Sequence, residues 1–167
     1  MKIIFLDFDG VVTSEIETPG SYITNSGINY GPTSICVNRL LNLAENTGSK
    51  IVISSNWRKF DIDGKKSIWK HSVYGEIHNP LPKFIPMLKD FYLETLPPIR
   101  HIKKAFLAEK WLNEHNNIES FIALDDMCEY EGYCSLNIFK NRYINTNSKT
   151  GLTDEDCKKA FEILKIK

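Results

Sequence analysis

Three short apolar runs, at residues 3–6, 51–53 and 121–124, place the strongest constraint on how this chain folds. They are rich in β-branched or aromatic residues and do not alternate with polar ones, which is typical of strands buried on both faces. Each run ends in a polar cluster: Asp7-Phe8-Asp9-Gly10, Ser54-Ser55-Asn56 and Asp125-Asp126. Because ligands bind at the carboxyl ends of the strands in an open parallel sheet, we expect the three clusters to form one site.

Helical patterns separate the apolar runs. Apolar residues share one helical face over residues 34–46 and again over residues 103–115, and Gly48 is a typical stop signal after the first of these helices. A third helix is predicted to begin at Thr153, and a weaker strand is predicted at residues 142–145. Strands that alternate with helices predict an α/β fold, a three-layer, Rossmann-like parallel sheet with helices on both faces.

The whole chain, residues 1–167, is predicted to be a single domain. Residues 59–98 hold most of the prolines, so we expect irregular structure and short helices there, with a small lid or insert. Within this stretch, residues 65–71 combine lysines with Trp69. Such a segment suits a nucleic-acid surface, where cations meet phosphates and an aromatic ring stacks on a base, but an amphipathic helix is favoured.

Composition excludes several classes of protein. Lys plus Arg and Asp plus Glu both number 21, so the net charge of zero argues against strong non-specific binding to nucleic acid, although a local basic patch remains compatible. Asp7 interrupts the first apolar run too early for an export signal, and no later run is long enough to span a bilayer. The four cysteines lack the spacing of a zinc site or a disulfide framework: Cys36, Cys128, Cys134 and Cys157. These features predict a cytoplasmic protein with reduced thiols and no membrane partner.

The polar clusters suit phosphoryl-transfer chemistry. Carboxylates gathered at one sheet edge repel one another unless a cation lies between them, and an all-oxygen ligand set suits Mg²⁺. One carboxylate can attack phosphorus, and a second acid two residues later can protonate the leaving oxygen and then deprotonate water. A hydroxyl, backbone amides and a lysine can hold the remaining phosphate oxygens. Gly10 suits the abrupt turn that would bring the backbone close to the phosphate.

These clusters resemble the motifs of the haloacid dehalogenase (HAD) superfamily. Residues 5–13 resemble the first motif, a strand ending in DxDG, and the strand that ends at Ser54-Ser55-Asn56 resembles the second. Lys103 and Lys104 are both placed for the third motif, a lone basic residue, and Asp125-Asp126 resembles the fourth. The resemblance implies a HAD fold with a minimal cap or none, and a magnesium-dependent phosphatase.

The same resemblance assigns roles to individual residues. Asp7 would be the nucleophile and a metal ligand, and Asp9 would be the general acid and base, with its backbone carbonyl on the metal. Ser55 is preferred to Ser54 for the phosphate contact, and Lys104 is preferred to Lys103. Asp126 would be the principal metal ligand of the fourth motif, supported by Asp125. The remaining predicted substrate contacts are listed together: Gly10, Ser54, Asn56, Arg58 and Lys103.

A narrower resemblance concerns the substrate. The segments at residues 53–58, 111–112 and 150–153 resemble a compact HAD group that is associated with RNA-repair proteins and is similar to polynucleotide 3′-phosphatases. The interval between the first two motifs leaves room only for a small cap, and a weakly covered site admits a bulky substrate such as a nucleic-acid end. A nucleotide, sugar-phosphate or phosphoprotein phosphatase is the alternative enzyme. A receiver-like domain is disfavoured by the order of the motifs, and an inactive phosphate-binding module is disfavoured because every catalytic residue type is present.

Overall fold

The computed structural model describes residues 1–14, 23–24, 27–28, 31–59, 68–71, 75–99 and 101–165. Within them, the strands are β1 (Lys2–Leu6), β2 (Ile23–Thr24), β3 (Gly27–Ile28), β4 (Ser49–Ile53), β5 (Ile68–His71), β6 (Gly75–His78), β7 (Tyr92–Thr95), β8 (Ser120–Asp125) and β9 (Tyr143–Asn145). The α-helices are α1 (Ser34–Thr47), α2 (Leu81–Phe84), α3 (Lys104–Glu114) and α4 (Asp154–Lys165). Short 3₁₀ turns cover Asn56–Lys59, Ile85–Phe91, Tyr133–Ser135 and Asn137–Phe139.

Five of these strands form a parallel sheet in the order β7-β4-β1-β8-β9. The strand order places β1 at the centre, between β4 and β8, and the three predicted apolar runs are therefore the three inner strands. The weaker strand predicted at residues 142–145 is confirmed as the edge strand β9. The opposite edge strand, β7, was not predicted, because the sequence Tyr-Leu-Glu-Thr alternates and lies among prolines.

Helices cover both faces of this sheet, as predicted. Alternate residues of β1 point to opposite faces: Ile4 and Leu6 pack with α1, α2 and α4, whereas Ile3 and Phe5 pack with α3. Burying an aliphatic or aromatic side chain completely stabilises a fold by about 1.5–3 kcal/mol, so the two apolar layers together fix the sheet between its helices. The predicted three-layer α/β fold is confirmed.

The helix boundaries follow from their capping residues. Thr33 caps α1 by accepting from the backbone N–H of Cys36, and Gly48 ends it in the left-handed conformation, as predicted. At the start of α4, the backbone N–H of Thr153 donates to the Asp156 carboxylate while that of Asp156 donates to the Thr153 hydroxyl. This reciprocal pair is a capping box, and it confirms the helix start predicted at Thr153.

Two details of the predicted core and one predicted element are wrong. The apolar faces predicted over residues 34–46 and 103–115 include Ile35 and Phe106, but both side chains are exposed, because each lies on the side of its helix away from the buried residues. Ile68–His71 forms strand β5, paired antiparallel with β6, and not the favoured amphipathic helix. The cross-strand partner overrides a local pattern that fitted a helix equally well. Lys65, Lys66 and Ser67 lie outside the described residues.

The segment predicted to hold a lid contributes in part to the core. Leu81 and Phe84 of α2, Leu88 and Leu96 are all buried, and β7 pairs with β4. Residues 81–96 therefore belong to the body of the fold, and a lid formed by the rest of residues 59–98 stays a prediction. Over the described part of the chain, no helix combines the length and the apolar character that a bilayer crossing requires.

Candidate active site

The parallel register brings the ends of the three inner strands to the same level. Leu6 lies opposite Ile53 on one side and Leu124 on the other. The next residue of each strand is polar, and the backbone bonds continue: Ser54 N donates to Leu6 O at 2.8 Å, and Asp7 N donates to Leu124 O at 2.9 Å. The three polar clusters therefore meet at one edge of the sheet, as predicted from the sequence.

Lys104 joins the first and last of these clusters. Its side chain is 1% exposed, and Nζ donates to Asp7 Oδ2 at 2.5 Å and to Asp125 Oδ2 at 2.8 Å. Burial by itself would lower the pKa of Lys104, but the charges of Asp7 and Asp125 outweigh it and raise that pKa above its usual value. Lys104 is therefore a permanent cation at physiological pH, held between two buried carboxylates.

The neighbouring Lys103 does not reach the carboxylates. Its side chain is exposed, and Nζ lies 5.8 Å from the centre of the Tyr130 ring, on the surface beside the site. The side chains of Lys104, the first residue of α3, and of Lys103, which precedes it, thus point in different directions. Of the two lysines placed for the third motif, the structure brings Lys104 to the site, and a substrate contact by Lys103 stays a prediction.

Three carboxylates form a cluster that fits a hard divalent cation. Oxygen atoms of Asp7, Asp125 and Asp126 all lie within 4.8 Å of one another. Asp125 is fully buried and uses its second oxygen to accept from Met127 N at 2.8 Å, whereas Asp126 is half-buried. Lys104 neutralises only one of these negative charges, so the all-oxygen donor set retains an excess that suits Mg²⁺.

The burial of the site shifts the pKa values of its remaining acids. Burial first, and the charge of Asp7 second, raise the pKa of Asp9 to about 7 and that of Asp126 to about 6. A general acid and base works best when its pKa is close to the working pH, because both protonation states are then populated. Asp9, two residues after Asp7, has that property in the absence of a metal.

The turn after β1 requires glycine at position 10. Gly10 has φ +65°, and a Cβ atom there would lie 2.4 Å from Oδ2 of Asp126. The turn is held by Gly10 N, which donates to the Thr13 hydroxyl at 2.8 Å, and by Gly10 O, which accepts from the Thr146 hydroxyl at 2.7 Å. The glycine therefore lets the backbone of the first motif approach the acidic pair of the fourth.

The backbone of the serine cluster after β4 is held by hydrogen bonds from an arginine. Ser54 and Ser55 are fully buried, and the Ser55 hydroxyl accepts from Trp57 N at 3.3 Å. Arg58 is also fully buried: Nη1 donates to the carbonyls of Ser54 at 3.0 Å and Ser55 at 2.7 Å, and Nε donates to Pro97 O at 3.2 Å. Arg58 thus holds the serine backbone in place, and its predicted contact with substrate, like the choice between the two serines, is left untested by these contacts.

Sequence reasoning missed Glu131. This residue is 3% exposed, and its two carboxylate oxygens accept from Asn56 Nδ2 at 2.8 Å and from the backbone N of Lys104 at 3.0 Å. It therefore ties the predicted substrate-binding Asn56 to the helix that carries Lys104. A signal was available in the sequence: α3 begins after Lys103, which supplies no side-chain cap, so its first N–H groups need an acceptor from elsewhere.

Comparison with known proteins agrees with this geometry. A family model described as the HAD domain in Swiss Army Knife RNA repair proteins matches residues 3–157. The matched range includes every residue that the sequence assigned to the site. No curated protein and no solved structure matches the chain significantly.

Proposed function

Because the chain belongs to the family of HAD domains in Swiss Army Knife RNA repair proteins, we propose that it is a magnesium-dependent phosphomonoester hydrolase. The family suggests a HAD-type hydrolase, and the reaction on a phosphate ester is our inference from the site. The observation that carries it is Lys104, a buried cation in contact with Asp7 and Asp125 at the end of three aligned strands. Such an arrangement suits a reaction that brings further negative charge to the carboxylates.

Asp7 is the proposed nucleophile. An oxygen of its carboxylate attacks phosphorus, the bond from phosphorus to the ester oxygen breaks, and an aspartyl phosphate forms on Asp7. Lys104 Nζ donates to the other oxygen of Asp7 at 2.5 Å, so it orients that carboxylate for attack. The same ammonium group would offset negative charge on the phosphoryl oxygens.

Asp9 is the proposed general acid and base. In the first half-reaction it donates its proton to the departing ester oxygen, and in the second it accepts a proton from the water that attacks the aspartyl phosphate. Water then forms the new bond to phosphorus, the bond to Asp7 breaks, and inorganic phosphate is released. The pKa of about 7 that burial and Asp7 give Asp9 allows both roles near neutral pH.

Asp7, Asp126 and the backbone carbonyl of Asp9 are the groups that would hold Mg²⁺, with Asp125 supporting them. Bound Mg²⁺ would neutralise charge on the transferring phosphoryl group and relieve repulsion between that group and the carboxylates. The serine hydroxyls of the second motif would contact the phosphate oxygens, with Ser55 preferred. Arg58 keeps the serine backbone in position through three bonds to carbonyls.

The proposed substrate is a nucleic-acid end that carries a 3′-phosphate. The RNA-repair description of the family supports this choice over a sugar phosphate or a phosphoprotein. The test is phosphate release with Mg²⁺ from three substrates: an oligonucleotide with a 3′-phosphate, the same strand with a 5′-phosphate, and a panel of small phosphomonoesters. The Asp7→Asn protein and excess chelator are the controls.

Each result has a distinct meaning. Selective release from the 3′ end would support the proposed function in full. Release from small esters alone would keep the chemistry and reject the nucleic-acid substrate. No release from any substrate by protein that binds Mg²⁺ would reject the phosphatase on these substrates and favour an inactive phosphate-binding module.

A further inference from the structure

A groove opens directly beside the acidic cluster. Its volume is about 570 Å³, and it is lined by Asp126, Met127, Glu129, Tyr130, Cys134, Tyr143 and Asn145. This volume falls within the range of about 300–1,000 Å³ that is typical of small-molecule sites. Asp126 belongs both to the groove and to the carboxylate cluster, so the groove adjoins the site where Asp7 would attack a phosphate.

The groove carries two exposed apolar side chains. Tyr130 is 66% exposed, the most of the large hydrophobic residues among those the structure describes, and Met127 is 48% exposed. Single exposed apolar residues are ordinary, but these two lie three residues apart on the wall of one groove next to the site. An exposed aromatic ring provides a flat surface on which a nucleobase can stack.

The charges around the groove indicate which part of a nucleic acid fits it. Glu129 and Asp126 line the groove, so it disfavours a run of phosphates, but carboxylates accept hydrogen bonds from ribose hydroxyls and base amino groups. Lys103 is the nearby cation, with Nζ 5.8 Å from the centre of the Tyr130 ring. A cation beside an aromatic ring suits a stacked base whose neighbouring phosphate approaches the ammonium group.

We propose that this groove holds the nucleoside that carries the terminal phosphate, with its base stacked on Tyr130. The inference rests on the proposed function, since it assumes that the phosphate is attached to a nucleic-acid end. It assigns Lys103 a place beside the base, and it accounts for the different directions taken by Lys103 and Lys104. The groove then distinguishes a nucleotide substrate from a phosphate ester that has no base.

Binding and turnover test the proposal separately. Binding of a single-stranded oligonucleotide with a 3′-phosphate is measured by fluorescence anisotropy on the Asp7→Asn protein. Adding Tyr130→Ala is expected to weaken binding about tenfold, because one stacked base is lost, whereas Tyr130→Phe keeps the ring and stays within about twofold. Lys103→Ala is expected to weaken binding about threefold and to reduce its salt dependence.

Lys110 supplies the matched control for Lys103. It is an exposed lysine on the same helix, paired with Glu114 at 3.8 Å, so Lys110→Ala removes an equal charge away from the groove. In the protein with Asp7 intact, Tyr130→Ala is expected to raise KM for the oligonucleotide with little change in kcat. A change in stability alone would not separate the two constants in this way.

Three results would overturn the proposal. The first is oligonucleotide binding by Tyr130→Ala within twofold of its parent, and the second is equal weakening by Tyr130→Ala and Tyr130→Phe. The third is hydrolysis of small esters by a protein that does not bind the oligonucleotide, which rejects the nucleoside groove while the phosphatase chemistry stands. Absence of phosphate release from every substrate would reject the proposed function instead, and the binding measurements would still decide whether Tyr130 holds a base.

Discussion

Replacing Glu131 with glutamine tests the connection between the serine cluster and α3. Both carboxylate oxygens accept hydrogen bonds, from Asn56 Nδ2 at 2.8 Å and from Lys104 N at 3.0 Å. Glutamine has nearly the same shape but only one acceptor oxygen, so its amide nitrogen must face one of these two donors. A lost bond to a charged acceptor costs about 1.5–3 kcal/mol, and a buried donor left without an acceptor adds to that cost. We therefore expect a loss of about 2–4 kcal/mol in the free energy of unfolding.

The assay is urea unfolding of the metal-free protein, monitored by circular dichroism, and thermal melting of the same protein. For a protein of this size the loss corresponds to a decrease of about 5–15 °C in Tm. Glu129→Gln is the matched control, because it makes the same change two residues earlier at an exposed position and is expected to alter stability by less than about 0.5 kcal/mol. If the two variants were equally stable, the buried hydrogen bonds of Glu131 would not stabilise the connection between the serine cluster and α3.

Three further predictions concern the chemistry of the site. Asp7→Asn is expected to reduce phosphate release at least about 1,000-fold while the circular dichroism spectrum is unchanged, and activity within tenfold of the parent would reject Asp7 as nucleophile. In the metal-free protein, Asp9 and Asp126 have pKa values of about 7 and about 6, above the value of about 4 in an unfolded chain. Their contribution to the free energy of unfolding is therefore full below about pH 4 and is lost as the pH rises through 6 and 7. Mg²⁺ competes with protons for these carboxylates at pH 5, so it should raise Tm more at pH 8 than at pH 5. An equal rise at both values would contradict this. Gly10→Ala is expected to destabilise the protein and weaken Mg²⁺ binding, because the added Cβ would lie 2.4 Å from Oδ2 of Asp126. Gly48 has the same left-handed backbone but no neighbour within 4 Å of an added Cβ, so Gly48→Ala should lower the free energy of unfolding by only about 1–2 kcal/mol and leave Mg²⁺ binding unchanged. Calorimetric titration measures the Mg²⁺ affinity of both variants. Equal affinities would show that the close approach of residue 10 to Asp126 does not affect metal binding.

The site is held together by hydrogen bonds and ion pairs between residues that are distant in the sequence. Lys104 contacts Asp7 and Asp125, and Glu131 reaches both the backbone of Lys104 and the side chain of Asn56. A buried charge that loses its partner is strongly destabilising, so the separate motifs depend on one another for stability. Substitutions at these positions are therefore expected to interact, and their effects on stability should not add.

The local pattern of the sequence determined the inner sheet and the position of the site. Buried parallel strands need continuous apolar runs, and such runs are visible without any tertiary information. The polar residues that follow them must then lie at one edge, which correctly placed Asp7, Ser54 and Asp125 together. The helix that ends at Gly48 and the helix that starts at Thr153 were also predictable, because their caps are made by residues close in the sequence.

Only the tertiary structure decided the features that depend on distant partners. Lys103 and Lys104 are both placed for the third motif and the sequence favoured Lys104, but the direction of each side chain became known only with the position of α3 against the sheet. Strand β7 and the burial of Arg58 depend on pairing and packing with residues far along the chain, as does the strand at Ile68–His71 that locally resembles a helix. The sequence indicated that the first N–H groups of α3 need an acceptor, but only the fold showed that Glu131 supplies it, because its two donors lie on other segments. Hydrophobic periodicity is a local property of the chain, whereas a buried polar contact is fixed by the fold that brings its partners together.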